Sequence, residues 1–99
     1  MSRTNCTVAQ KVSVVGVPYT IKRDQDKELL TAGFNGRILF NDKEIHILST
    51  LSGATYKKVL LHEVIHAVLH EMSNPEDTNE RLVDAVADGL FTVDLGFLN

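Results

Sequence analysis

Tryptophan is absent from this chain, cysteine occurs once and proline twice in 99 residues. The one thiol, Cys6, excludes a disulfide within the chain and fits a reducing compartment. A thiolate at Cys6 that masks a metal in a latent form is the alternative to a plain free thiol. No apolar run approaches the ~20 residues that a membrane-spanning helix needs, and the first ten residues are polar. The expectation is a cytoplasmic protein that carries no signal peptide and makes no membrane contact.

Positive charge is scarce where it would matter for a nucleic-acid partner. The formal net charge is −3, and it is unevenly spread: residues 1–58 balance at +4, whereas 59–99 hold a single arginine against eight acids and balance at −7. Phosphate binding needs clustered Lys and Arg, so no nucleic-acid partner is expected. The acidic half suits cations, including a divalent metal, although a solvated acidic face has the same composition. At this length the chain supports one small domain, 1–99, with a single modest core.

Within the acidic half lies His62-Glu63-Val64-Ile65-His66. Residues four apart on a helix share a face at roughly 5–6 Å, so His62 and His66 can aim their imidazoles at one ion. Glu63 lies about 100° further round, close enough to hold a water without being a ligand. The helix itself is legible: apolar residues recur at helical spacing from about Tyr56 to Met72. Leu61, Ile65, Val68, Leu69 and Met72 form one apolar arc, with both histidines at its edge. The plainer alternative is a helix whose histidines are solvated.

Elsewhere the patterns are shorter. Val12 to Ile21 is β-branched and aromatic and reads as one strand, with Val17-Pro18 at an edge or bulge. Asp24 to Thr31 reads as a short helical turn or a loop. Arg37–Phe40 and Glu44–Leu48 flank Asn41-Asp42-Lys43 and form a hairpin. Ser52 or Thr55 can cap the HExxH helix, and Ser73-Asn74-Pro75 ends it. A second helix follows, capped by Asp77 or Thr78, with Leu82, Val83, Val86, Ala87, Leu90 and Phe91 on its apolar face. The short connection implies near-antiparallel packing. The tail from Asp94 to Asn99 can pack back.

Catalytic zinc takes three protein ligands and leaves a position for water, so two histidines need a partner. Glu80 is the preferred third ligand. Asp84 lies four residues on, where it can accept the N–H of a ligating histidine and fix its tautomer. Alternatives stay open: Glu80 as part of an Asp77-x-x-Glu80 capping box, Asp84 as a direct ligand, or Asp88 or Glu76. His70 continues the i, i+4 series but lies about 12 Å along the axis from His62, too far to share the ion. His46 sits on the second hairpin strand and could border the cleft, or simply be an exposed strand histidine. Tyr19 and Tyr56 carry hydroxyls that could serve an oxyanion, but no spacing selects either.

His62, Glu63, His66, Asn79, Glu80 and Asp84 together resemble the thermolysin-like gluzincins, which use HExxH followed by NExx(S)D. The match departs from the family in its shorter His66-to-Glu80 spacing and in Val83, which stands where a small residue is usual. Small size, a strand pair ahead of the helix and the run Val83-Asp84-Ala85-Val86-Ala87-Asp88-Gly89-Leu90 are similar to small phage and prophage metallopeptidase-like proteins of the minimal ImmA/IrrE type. The resemblance spans roughly Glu44 to Phe91. It implies Zn2+ held by His62, His66 and Glu80, Asp84 behind the first histidine, and a peptide or protein substrate.

The fold expectation is α+β: a small, mostly antiparallel sheet of about three strands covering one side of two long helices, with the metal between the helices. The functional expectation is zinc-dependent peptide hydrolysis with Glu63 as general base, with a possible partner protein completing the cleft. Two alternatives stand beside it. One is a catalytically silent, zinc-stabilised protein-binding module, favoured by small size and disfavoured by Glu63. The other is a SprT-like nucleic-acid-associated protease, against which the acidic balance counts.

Overall fold

The computed structural model describes residues 10–24 and 35–92. Cys6, the Asp94–Asn99 tail and the loop or helical turn expected after Asp24 lie outside the described residues. The elements run β1 (Gln10–Val14), β2 (Val17–Asp24), β3 (Gly36–Leu39), β4 (Glu44–Leu48), α1 (Gly53–Glu71) and α2 (Glu80–Phe91). The class is α+β, as expected, but the sheet has four strands rather than three and is mixed rather than antiparallel.

The first correction concerns Val12 to Ile21, which is a hairpin and not one strand. β1 and β2 pair antiparallel with Val14 opposite Val17, and the turn is Val15-Gly16. Both turn residues have positive φ, 51° and 82°, the geometry whose twist suits a two-residue hairpin. Valine is disfavoured in that region, so the sequence lacked the usual Asn-Gly signal. Pro18 lies opposite Ser13, in the part of β2 before its pairing with β4 begins at Thr20, so its missing N–H disrupts no second ladder.

The second correction concerns strand order, which is β1-β2-β4-β3. The expected β3–β4 hairpin forms, closed through Lys43 at φ 55°. β4 then inserts between β3 and β2 and pairs parallel with β2. This places Ile21, Ile45 and Ile38 in one row, with Ile45 and Ile47 fully buried. Burying that isoleucine face is what selects the order, because slipping the register by one residue would turn it to solvent.

α1 lies between the sheet and α2, so its apolar residues form two faces rather than the single arc expected. Tyr56, Val59, Leu60, Val64, Ala67 and Val68 pack with Val14, Tyr19, Ile45 and Ile47. Ile65, Leu61 and Leu69 pack instead with Val83 and Ala87 of α2. Met72, assigned to the arc, is exposed at the C-cap. The sheet therefore covers α1, while α2 docks on α1. Polar ties fix both ends of α1 to the sheet. Arg23 stacks over Tyr56 and donates to the carbonyls of Ser49 and Leu51, and Glu71 accepts from Tyr19 Oη and Lys43 Nζ, each at 2.6 Å. Among the described residues, no helix is long and apolar enough to cross a membrane.

Val15 is exposed and holds a left-handed conformation that disfavours a β-branched residue by about 1–2 kcal/mol. Val15→Asn is therefore expected to stabilise the protein by about 1 kcal/mol, read as a higher urea midpoint with an unchanged slope.

Candidate metal centre

His62 and His66 lie one turn apart on α1, and their rings meet edge to face with centroids 4.9 Å apart. Each ring has one nitrogen engaged away from the other. His66 Nδ1 contacts the backbone carbonyl of Asp77 at 2.6 Å. A carbonyl only accepts, so Nδ1 carries the hydrogen, and in the neutral ring Nε2 is left with a bare lone pair. His62 Nδ1 lies 2.9 Å from the Asp84 carboxylate, which sets the same tautomer. The two Nε2 atoms then face each other at 3.2 Å.

Glu80 completes the set. Its Oε1 lies 2.9 Å from His62 Nε2 and 3.2 Å from His66 Nε2. Two lone pairs and a carboxylate oxygen at these separations repel unless positive charge lies between them. Three corners of a tetrahedron with bonds of about 2.0 Å lie about 3.3 Å apart, close to the observed triangle. His62, His66 and Glu80 thus form a group that could hold a metal ion, all donor atoms lying within 4.8 Å of one another.

The first residue of α2 is Glu80, and it is placed by Asn79. The N-cap is Asn79, not Asp77 or Thr78: its Oδ1 accepts from Leu82 N–H at 3.1 Å. The capping-box reading of Glu80 therefore does not hold, because its carboxylate turns to the histidines instead of back to a cap. Burial pushes the Glu80 carboxyl up; when the histidines are protonated, their hydrogen bonds and charge outweigh it and hold the carboxyl below its usual range, His62 by hydrogen bond first and then His66. The other proposed ligands are engaged elsewhere. Asp84 meets the far nitrogen of His62, Asp88 pairs with Lys58 at 2.9 Å, and Glu76 accepts from the Asn79 amide.

Glu63 is only 6 % exposed. Burial raises its carboxyl above the ordinary value, positive charge on His62 and His66 opposes that when they are protonated, and the Glu80 charge adds to the rise. Close by is Gly36 of β3. A Cβ there would sit 2.9 Å from Val59 Cγ1, 3.0 Å from the His46 carbonyl and 3.5 Å from Glu63 Oε2. Only glycine lets β3 lie this close to α1 beside the carboxylate.

A cleft of about 860 Å³ runs over these groups, walled by Gly36, Arg37, Ile38 and Phe40 on one side and by Thr78, Glu80 and Asp84 on the other. The strand bordering it is β3, an edge strand among the described residues, and not β4, so His46 neither borders the cleft nor stands exposed, its side chain being 11 % exposed. His46 Nε2 instead contacts Glu44 at 2.9 Å. Neither Tyr19 nor Tyr56 lines the cleft, and His70 stands apart from the three donors. Sequence reasoning missed Gly36 and the Asp77 carbonyl. A carbonyl has no residue-type signal, whereas Asn79 ahead of an acidic first turn was a readable cap.

Two outcomes are expected. Zinc titration should give about one equivalent bound per wild-type chain and loss of binding in His66→Ala and Glu80→Ala, measured by metal analysis after gel filtration. In the metal-free protein, Glu63→Gln should raise the melting temperature by a few degrees at neutral pH. The folded pKa of Glu63 is raised, so its contribution to stability is intact below the unfolded carboxylate pKa and is lost as pH rises through the folded value. The gain from Gln should accordingly vanish in acid.

Compared with protein-family models, curated proteins and solved structures, the chain matches none.

Proposed function

We propose that this protein is a zinc-dependent peptide hydrolase of the gluzincin type, with His62, His66 and Glu80 as ligands, Asp84 orienting His62 and Glu63 as general base. The observation that carries the reading is the convergence of two bare Nε2 atoms and one carboxylate about 3 Å apart, beside a buried carboxylate outside the set. A His2Glu donor set suits catalytic zinc. Zinc held there supplies Lewis acidity, polarising an amide carbonyl and making water acidic near neutral pH.

The remaining work belongs to the chain. Glu63 takes the proton of the attacking water on its carboxylate as the C–O bond forms, then delivers it to the amine nitrogen as the C–N bond breaks. Its raised pKa suits both transfers. Asp84 and the Asp77 carbonyl keep the Nε2 atoms turned toward Glu80. Among the described residues β3 is an edge strand along the cleft, where an extended peptide can pair through its backbone. On the α2 side, Glu80 and Asp84 are about two-thirds exposed, which leaves room for a partner protein to complete the wall. A cytoplasmic setting and the gluzincin assignment belong to the same reading; the latter rests on His62, Glu63, His66, Asn79, Glu80 and Asp84.

A silent structural site would close around four donors, whereas three converge among the described residues, and such a site has no use for Glu63. The test is Glu63→Gln assayed on a peptide library. Turnover should fall by roughly 10²–10⁴-fold with one zinc still bound. Cleavage equal to the parent's would remove Glu63 from the mechanism.

A further inference from the structure

Asp77 lies in the connection between the helices, and it is used twice. Its carbonyl accepts the His66 Nδ1 hydrogen at 2.6 Å, and its carboxylate lies 2.9 Å from His70 Nδ1. His66 and His70 are one turn apart on α1, so a single connecting residue engages two successive histidines on one face. His70 is itself braced: the Phe40 ring stacks on it with centroids 4.0 Å apart and planes 14° from parallel.

We propose that His70 and Asp77 are positioning residues that set the affinity of the metal site by fixing the direction of His66, without touching the ion. This rests on the reading of His62, His66 and Glu80 as ligands. The physical reason is local. A carbonyl in a turn has no helical ladder to aim it, and the Asp77 carbonyl must stay in the plane of the His66 imidazole to hold Nε2 in the donor triangle. The side-chain bond to His70 ties the same residue to the rigid helix that carries His66. With that bond broken, the carbonyl swings, the imidazole gains freedom to rotate, and Nε2 spends less time facing His62 and Glu80. Phe40 limits the rotation of His70 in turn, so the β3–β4 turn helps set the site geometry. Asp77 also precedes Glu80 by three residues, and anchoring it steadies the entry to α2.

The test uses zinc ion alone, with affinity read by competition against a chromophoric chelator. His70→Leu keeps apolar packing against Phe40 but loses the donor, whereas His70→Asn places an amide N–H near the position of Nδ1. His70→Leu and Asp77→Ala should each weaken zinc binding by about tenfold, the lower end of what loss of an outer partner of a ligand produces. His70→Asn should stay within about twofold of wild type, and the His70→Leu/Asp77→Ala double variant should be no weaker than either single one. A purely structural role would make Leu and Asn alike, and independent roles would multiply in the double variant; either result overturns the proposal. So does wild-type affinity in His70→Leu. If wild-type protein itself binds no zinc, the ligand assignment beneath the proposal fails instead.

Discussion

Lys58, His62, His66 and His70 stand at every fourth position of α1, and each meets an acid from α2 or the turn before it: Asp88, Asp84, Glu80 and Asp77. The order rises along one helix and falls along the other, which makes the pair antiparallel. Glu80, Asp84 and Asp88 repel one another along α2 at this spacing unless donors face them. α2 buries only Val83 and Ala87 among its own residues. Its seating combines this small apolar patch on Ile65, Leu61 and Leu69 with the polar ladder, and the donor triangle forms where the same two helices meet.

The position of α1 between two layers gives the site its character. The sheet packs close beside Glu63, which is buried, and α2 supplies acids that remain exposed. Burial raises the Glu63 carboxyl, whereas protonated His62 and His66 lower that of Glu80, although both belong to one small cluster. That contrast suits a proton carrier beside a ligand. It also sets stability against function, since a buried carboxylate that a fold would sooner lose is the group proposed to move the proton.

Gly36 connects the site to the sheet. The close approach of β3 to α1 brings what is an edge strand among the described residues alongside Glu63 and the two histidines, so the strand and the candidate groups share one cleft. The mixed strand order makes this possible. With β4 placed inside, β3 is left at the edge, and His46 is held one strand back from the cleft.

The sequence by itself determined what depends on neighbours along a helix. The HExxH spacing, the presence of both helices and the shared face of Glu80 and Asp84 were legible because a fixed rise and turn convert spacing directly into geometry; the β3–β4 hairpin was legible from Asn41-Asp42-Lys43 between its strands. Tertiary structure alone decided the rest. Val15-Gly16 turns the chain against valine's own preference because the paired strands demand it. The parallel pairing of β2 with β4 comes from burying one isoleucine face, which no local pattern encodes. The tautomer of His66 is set by the Asp77 carbonyl, a group every residue possesses and only the packing of the two helices aims.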